Sequence, residues 1–468
     1  MILDKSGQKM NEKTRIEKDI LGELEVPADV YWGINTQRAL NNFQISGKQF
    51  PKSFIISLAK VKYAALLANK KLGLLEDAKA DALEQAIKEI VFGHKLLDQF
   101  PVDVFQTGSG TQINMNMNEV LANRANEILG HPLGLKKPVH PNDHVNMGQS
   151  SNDVIPTTMH LVTLMSLKEE LIPALNAVVK TLDSKISEFK DIIKVGRTHL
   201  QDAVPIPLSD EFAVYRQQIK SSVEKLNIIC EDLKFIPLGG TAVGTGINTH
   251  KDFSKNAIAN LSELTDLNFQ TSKIKAEAIA SHSTFVRVSN ELKTLSLALI
   301  KLANDIRWMG SGPRAGLGEL KIPQNEPGSS IMPGKINPTQ SEMLLQVCIH
   351  VIGNDTAITF AESIGSTLDL NITKPLIIDT ILDSIELLSK GLSSFNLKCL
   401  VGLEPNLNNI HKLLEKDLMV VTKIAPDIGY DKAGEIAKKA LEEDKTIIQI
   451  IKESDIENKE KLIEKLKS

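Results

Sequence analysis

Apolar residues recur at steps of three and four along five long stretches, and no other feature constrains the fold as much. The pattern begins in 158–190 and returns in 209–236, 278–309, 340–362 and 376–396. This is the period of an α-helix, without the alternation of a strand. In the first stretch it is carried by Leu161, Leu164, Met165, Leu167, Leu171, Ile172, Leu175, Val178, Val179 and Leu182. The sequence therefore predicts five long helices.

Long helices that are rich in Leu, Ile and Ala pack most simply as an antiparallel bundle. Aromatic residues make up only 4% of the chain, which favours this arrangement. Some of the predicted helices carry apolar residues on more than one face, and a second subunit could bury the second face. We therefore expect a mostly α-helical chain with a central long-helix bundle that forms oligomers.

Composition divides the chain into three predicted domains. Residues 1–147 form a mixed, helical N-terminal domain, 148–404 the central five-helix bundle, and 405–468 a small C-terminal helical domain. We expect residues 1–50 to be irregular, and 54–99 to form two helical pieces separated by Gly73. A further helix is predicted at about Asn116–Leu129. The charged end of the chain, ENKEKLIEKLKS, is expected to be a solvated helix.

Charge and composition exclude several classes of protein. The chain has 54 basic and 58 acidic residues, a formal net charge of −4, which argues against a nucleic-acid binder. It has no uncharged apolar run of about 18 residues, so no transmembrane helix is predicted. The N-terminus lacks the features of a secretory signal or a mitochondrial presequence, so we expect a cytoplasmic protein. Three cysteines could in principle hold an iron–sulfur cluster, but Cys230, Cys348 and Cys399 lie in apolar helical contexts typical of buried thiols.

Four polar, glycine-containing segments interrupt the helical pattern, at 106–118, 140–153, 196–202 and 328–338. Loops on a rigid scaffold commonly carry function. These loops offer hydroxyl, amide, imidazole and backbone N–H groups, which are donors suited to carboxylates. They contain no Walker loop and no dinucleotide fingerprint. His140 and His144 have a helical spacing, but Pro141 makes a helix there improbable, so neither a metal nor a cofactor is predicted.

Two residues stand out as candidates for proton transfer. Ser329 lies in a glycine-rich loop; to act as a base, its alkoxide would need several N–H donors or a nearby cation. An ordinary surface loop is the alternative. His199 stands in GRTHLQD, and Glu342 could orient it through space. A lone histidine is more often structural, and turn or capping roles are equally open for Asn114, Asn116, Asn118 and Asn152.

The segment GSSIMPGKINP at 328–338 resembles the signature of the aspartase/fumarase superfamily, and the resemblance extends from VPADVYWG at 26–33 to IGYDKA at 428–433. QTGSGTQ at 106–112, Thr198-His199 and PGK at 333–335 are similar to the class II, iron-independent fumarate hydratases. The resemblance implies a three-domain subunit and a homotetramer with a core of about 20 helices, five from each subunit. It also implies active sites shared between subunits, and reversible hydration of fumarate to L-malate through an aci-carboxylate.

The resemblance also implies a role for individual residues. Ser329 would remove the C3 proton of malate, and His199, paired with Glu342, would serve the departing hydroxyl. The substrate-binding residues would be Ser109, Gly110, Thr111, Ser150, Ser151, Asn152, Thr198, Ser330, Lys335, Ile336 and Asn337. A second anion site would comprise His140, Pro141, Asn142, Asp143 and Lys137. At Lys137 the family often has arginine, and lysine keeps the charge but loses the bidentate fork.

Three other functions remain open at the level of sequence. An aspartate ammonia-lyase would share the fold and differ in the leaving group. A catalytically silent structural relative would not be expected to retain Ser329, His199, Lys335 and Glu342 together. An RNA-binding or assembly role has no basic patch to support it.

Overall fold

The structure, a computed structural model, describes residues 13–467 and is mostly α-helical, as predicted. Residues 1–12, where the sequence predicted irregular chain without a targeting signal, and residue 468 lie outside the described residues. The α-helices are α1 Ile34–Asn42, α2 Lys52–Lys71, α3 Asp77–Val91, α4 Thr111–Ile128, α5 Ser151–Ser166, α6 Ile172–Phe189, α7 Leu208–Asp232, α8 Phe253–Thr265, α9 Lys275–Ala280, α10 Ser283–Met309, α11 Thr339–Gly365, α12 Lys374–Phe395, α13 Leu407–Lys416, α14 Ala425–Ile428, α15 Tyr430–Glu442, α16 Ile447–Glu453 and α17 Lys459–Lys467.

The strands are short and pair only two at a time. They are β1 Thr14–Asp19, β2 Gly22–Pro27, β3 Ile193–Thr198, β4 Gln201–Pro207, β5 Phe235–Ile236, β6 Gln270–Thr271, β7 Leu320–Lys321, β8 Ser366–Thr367, β9 Leu370–Asn371 and β10 Glu404–Pro405. Single π-helical turns occur at Pro141–Val145, Leu167–Leu171 and Asn396–Leu400, and a 3-10 helix at Leu418–Lys423.

The periodic stretches are the long helices of the structure. The first stretch is α5 and α6, joined by the π-helical turn Leu167–Leu171; the other four are α7, α10, α11 and α12. The two helical pieces predicted in 54–99 are α2 and α3. All three cysteines are free and buried, as predicted, and burial raises the pKa of Cys230 to about 11 and those of Cys348 and Cys399 to about 12.

The described chain divides into two compact units. Unit one contains residues 13–171, 225–293 and 351–386, and in it α2 packs against α3, α5 and α8. Unit two contains 172–224, 294–350 and 387–467, and in it α13 and the 3-10 helix pack on the β3–β4 hairpin. The division into three domains at 147 and 404 stays a prediction.

Residues 13–50 are not irregular, so that prediction is wrong for this part of the chain. β1 and β2 form an antiparallel hairpin in which Thr14 faces Pro27, and α1 follows. The Arg15 guanidinium donates to the carbonyl oxygens of Pro27, Val30 and Trp32 at 2.8, 2.8 and 2.5 Å. Local pattern does not reveal these bonds, because their partners lie 12 to 17 residues away.

Two helix predictions need correction. The helix predicted from Asn116 begins five residues earlier, at Thr111, because the polar residues of this segment face a buried polar cluster and are not turn residues. The final helix, α17, is not simply solvated. Its Leu462 and Leu466 are buried in an apolar cluster with Ile450 and Ile451, so α17 is amphipathic.

Helix α11 is the one described helix long and apolar enough to cross a membrane by length and composition, although the sequence predicted none. Glu342, Asp355 and Glu362 interrupt its apolar sequence. Only 28% of its most apolar window is buried. Ile349, Phe360 and Ile364 are 63, 59 and 73% exposed, so α11 presents a large apolar surface.

Candidate active site

A chain of hydroxyl groups runs along the N-terminal ends of α4 and α5 in unit one and includes Ser109, just before α4. Ser109 Oγ lies 2.7 Å from Thr111 Oγ1, which lies 3.0 Å from Ser151 Oγ. Free N–H groups and the helix dipole make a helix N-terminus favourable for an anion. Two such termini and three hydroxyl groups therefore form a cluster of donors suited to a carboxylate.

Two glycines allow the chain to enter α4 in this way. A Cβ atom at Gly108 would lie 1.4 Å from the carbonyl oxygen of Ile372, so only glycine fits. The Lys374 N–H donates to the Gly108 carbonyl oxygen at 3.1 Å, which fixes this approach. Gly110, the residue before α4, has a φ of +75°, a conformation that glycine adopts without strain. Ser109 is thereby held between two fixed backbone positions.

The entry into α5 is fixed by a buried aspartate. Ser150 Oγ accepts from the Asn152 N–H at 3.2 Å, and Asp153 Oδ1 accepts from the Ser150 N–H at 2.8 Å. Asp153 Oδ2 accepts from the Gly239 and Thr241 N–H groups at 2.9 and 3.0 Å. Burial raises the pKa of Asp153, while these backbone donors act in the opposite direction. The carboxylate thus orders the loop around Ser150 and Ser151.

The residues of the predicted second anion site also lie together in unit one, at 137–143. Pro141–Val145 is a single π-helical turn, although Pro141 was expected to make a helix improbable here, because proline is tolerated at a first helical position, where its missing N–H is not needed. His140 Nδ1 accepts from the Asn142 and Asp143 N–H groups, both at 3.2 Å. His144 Nδ1 accepts from the His140 N–H at 2.8 Å.

These hydrogen bonds engage the Nδ1 atoms of both histidines within the turn. Burial lowers the pKa of His144. Lys137 lies exposed beside the turn. Within residues 13–467, no group of three or more His, Cys, Asp or Glu side chains could hold a metal ion.

His199 lies at the tip of the β3–β4 hairpin in unit two, next to Thr198. Thr198 pairs with Gln201, so His199 and Leu200 form the two-residue turn. Their φ values are +56° and +60°, and both side chains are exposed. A turn with two positive φ values favours glycine or asparagine. A bulky side chain in this left-handed conformation raises the free energy of the folded state by about 1–2 kcal/mol per residue. Such strain at an exposed histidine favours a functional role over a structural one.

A buried ion-pair network holds the base of this hairpin. Arg197 Nη1 and Lys194 Nζ lie 2.8 and 3.4 Å from the carboxylate of Glu319, which is fully buried. Lys194 Nζ also lies 2.9 Å from Glu211 Oε1. None of these residues was among the predicted site residues, although Arg197 stands two positions before His199. The network fixes the hairpin on which His199 is displayed.

Ser329 lies in the 328–338 loop of unit two, where its Oγ accepts hydrogen bonds from two backbone N–H groups. The Met332 N–H donates at 2.9 Å and the Ile331 N–H at 3.2 Å. The loop is closed because the Gly328 N–H donates to the Lys335 carbonyl oxygen at 2.9 Å. These are the oriented donors that a serine alkoxide needs.

The remaining predicted residues of unit two lie around this loop. Asn337 Nδ2 donates to the Gly328 carbonyl oxygen at 2.5 Å. Ser330, Lys335, Ile336 and Glu342 are exposed. No hydrogen bond or ion pair among residues 13–467 joins His199 to Glu342 or to Ser329. Within one chain, the predicted acid/base residues are therefore not bonded to one another.

Lys62 and Asn146 of unit one were also not among the predicted site residues. Lys62 Nζ donates to Asn146 Oδ1 at 2.9 Å. Asn146 stands four residues before Ser150 in the sequence. The sequence did contain a feature that marks Lys62 as a buried lysine. It stands four residues after Leu58 and four before Leu66, on the apolar stripe of a helix. A lysine at a core position requires a partner.

Two protein-family models match the chain. One, described as a lyase family, matches residues 22–353, and the other, described as the fumarase C C-terminus, matches 420–467. The class II fumarate hydratase of Thermosynechococcus vestitus is 50% identical over 438 residues, which covers 94% of this chain and 93% of that protein. The class II fumarate hydratase of Nitrosomonas europaea is 51% identical over 429 residues, with 92% of each covered.

A solved structure gives the same result for the fold. The crystal structure of class II fumarase from Schistosoma mansoni matches with a TM-score of 0.94 at 38% identity. The match covers 97% of this chain and 98% of that chain.

Proposed function

The chain belongs to the class II fumarate hydratase family of lyases, and we propose that it catalyses the reversible hydration of fumarate to L-malate, as its curated relatives are named to do. The reaction removes the C3 proton and the hydroxyl group of malate, and leaves fumarate and water. Because the C3 proton is weakly acidic, the adjacent carboxylate must take up the developing charge as an aci-carboxylate. The enzyme therefore needs a base, an acid, and donors directed at the carboxylates.

Ser329 is the base in this proposal, and its hydrogen bonds are the observation that supports it most strongly. Two backbone N–H groups point at its Oγ, at 2.9 and 3.2 Å. They stabilise the alkoxide that accepts the C3 proton, because preorganised donors are most effective where charge develops. Lys335, exposed on the same loop, supplies a cation for a substrate carboxylate.

The hydroxyl cluster of α4 and α5 binds a substrate carboxylate. Ser109, Thr111 and Ser151 supply hydroxyl groups, and Ser150 and Asn152 complete the donors at the start of α5. These groups can strengthen their bonds as the carboxylate gains charge in the transition state. The same cluster serves hydration, since the intermediate is shared by both directions.

His199 supplies the proton that leaves with the hydroxyl group, and Glu342 orients it. Because no bond joins these two residues within one chain, we propose that they meet across a subunit boundary. The enzyme is then a homotetramer whose active sites combine loops from different subunits. The exposed apolar residues of α11 support such an assembly, because a contiguous exposed apolar patch commonly marks an interface.

Three finer assignments complete the proposal. The residues from Lys137 to Asp143 form a second anion site away from the chemistry. The subunit has three domains, with boundaries near 147 and 404. The enzyme works in the cytoplasm, in the tricarboxylic acid cycle; three free, buried cysteines are consistent with a reducing compartment.

Turnover of three substrates tests the proposed function. The purified chain is given fumarate, L-malate or L-aspartate, and the ultraviolet absorbance of fumarate is followed. We expect fumarate to be consumed, malate to yield fumarate, and aspartate to be inert. Release of fumarate from aspartate alone would identify an ammonia-lyase, and no turnover of any substrate would identify a silent relative.

A further inference from the structure

Lys62 on α2 is 1% exposed, yet it carries an amino group that nothing in the proposed reaction uses. We propose that Lys62 is a positioning residue, which acts through Asn146 to hold the carboxylate-binding segment 150–152 in place. It would also set a positive charge beneath the site. This inference rests on the proposed function, because it concerns how the same site binds its substrate.

Asn146 is the point at which three side chains converge. Its Oδ1 atom accepts from Lys62 Nζ at 2.9 Å, from Asn118 Nδ2 at 3.2 Å and from Asn114 Nδ2 at 3.3 Å. The lysine bond is the shortest of the three, as expected when one partner can carry charge. Helices α2 and α4 thus fix one side chain of the loop that precedes α5.

Asn146 transmits this constraint to the binding segment. Its Nδ2 donates to the Gln149 carbonyl oxygen at 3.1 Å, and Gln149 directly precedes Ser150. Gln149 Nε2 donates in turn to the carbonyl oxygens of Val145 and Met147. A second α2 side chain reaches the same loop, because Asn69 Nδ2 donates to the Met147 carbonyl oxygen at 3.0 Å. The turn before α5 is therefore built around Asn146.

A buried lysine is a costly way to anchor a loop for stability alone. Burial lowers the pKa of Lys62 to about 7, and the Asp153 carboxylate opposes that shift. No ionisable group of α3, α4 or α8, which also pack against α2, contributes to it. An apolar side chain of similar length would avoid the desolvation cost. Within the proposal, the amino group of Lys62 serves the binding of an anionic substrate at segment 150–152.

Lys62→Met tests the proposal in the full-length enzyme. The substitution keeps most of the side-chain volume and removes the donor and the charge. We expect the KM for fumarate and for L-malate to rise about ten- to a hundredfold, while kcat changes less, because the binding segment loses its anchor at Asn146 and the anionic substrate loses a nearby positive charge. Lys60→Met is the matched control. Lys60 lies on the same helix and burial lowers its pKa, but its Nζ contacts Met165 Sδ and not the loop.

A double substitution separates positioning from general stability. Asn146→Ala should raise KM at least as much as Lys62→Met, and the double variant should be little worse than Asn146→Ala alone, because Lys62 acts through Asn146. Lys62→Gln, which keeps an N–H donor without charge, should fall between wild type and Lys62→Met. If Lys62→Met does not fold, Asn146→Ala and Lys62→Gln decide the question by the same measurements.

The pH dependence of KM supplies a readout that a purely structural lysine would not change. Below about pH 7 the Lys62 amino group is protonated, and its positive charge strengthens the binding of a dianionic substrate. Because this charge is lost as pH rises through 7, the wild-type KM should rise over the same range. Lys62→Met should lose this rise, and Lys60→Met should keep it. Equal KM values for Lys62→Met and Lys60→Met, or additive effects with Asn146→Ala, would overturn the proposal. An inactive wild type would instead refute the proposed function.

Discussion

Thr111 Oγ1 and Ser151 Oγ lie 3.0 Å apart, so a side-chain hydrogen bond joins the first turn of α4 to the first turn of α5. The two residues are separated by 40 positions in the sequence. Their contact makes a single donor cluster from two helix N-termini. Because each terminus favours an anion, the pair can hold one carboxylate more firmly than either could alone.

Thr111→Val should therefore weaken substrate binding. Valine has nearly the same shape and removes only the hydroxyl group, so a bond to a charged carboxylate is lost. We expect KM for malate to rise about tenfold or more, with little change in the unfolding temperature. Steady-state kinetics and thermal unfolding measure the two effects. Thr107→Val, at an exposed position in the same segment, is the control and should leave KM unchanged.

Ser329→Ala should remove most of the turnover. A general base contributes about 10²–10⁴-fold to the rate, and alanine leaves nothing to accept the C3 proton. The unfolding temperature should be nearly that of the wild type, because the loop is closed by Gly328 and Lys335 backbone groups. Met332→Leu keeps the N–H group that faces Ser329 and should stay active. More than about half of the wild-type rate in Ser329→Ala would refute its role as base.

Removal of metal ions should leave the activity intact. The side chains in 13–467 offer no metal-binding group of three or more ligands, and the proposed chemistry uses only protein donors. Activity is measured in both directions before and after dialysis against a chelator, in air. If activity is lost and returns with added iron, the assignment to the iron-independent class is wrong.

The buried histidine His160 should make the enzyme sensitive to acid. Burial lowers its pKa to about 4, and its Nδ1 bonds to the Leu233 carbonyl oxygen at 2.9 Å. Between pH 6.5 and 4 the unfolded chain binds this proton and the folded chain does not, so stability falls as pH falls. His160→Gln should be less stable at pH 7 but lose less of its stability towards pH 4. Urea unfolding midpoints measure this, with exposed His131→Gln as the control.

Helix spacing predicted the long helices well, because an amphipathic helix reports its buried face within its own sequence. α7, α11 and α12 begin within two residues of the predicted positions, whereas α10 begins five residues later than predicted, after the short helix α9. Elements stabilised by distant partners were missed. The β1–β2 hairpin depends on Arg15 and carbonyl groups up to Trp32, and no local pattern reveals that.

The candidate site likewise has parts that the sequence predicted and parts that it did not. The loop of Ser329 was found from its own residues, since glycines and hydroxyl groups are visible in a short segment. Asn114 and Asn118 lie inside a helix and were open to a turn role, because side chains of this type favour turns. Their actual partner, Asn146, is 32 and 28 residues away. Bonds of this kind follow from packing and could not be predicted from spacing.

The shared active site is the central claim, and subunit mixing tests it most directly. Ser329→Ala and His199→Asn are each expected to be inactive, because one lacks the base and the other the acid. If the two residues of a site come from different chains, random tetramers of both variants contain about a quarter of sites that are wild type at both positions.

The measurement is the activity of the two variants after they are unfolded and refolded together in equal amounts, with hybrid tetramers confirmed by mass spectrometry. Each variant refolded alone is the control. We predict that the mixture recovers about a quarter of the wild-type activity, while the controls stay inactive. Confirmed hybrids with no activity above the controls would contradict the account, because Ser329 and His199 would then serve the same site from a single chain.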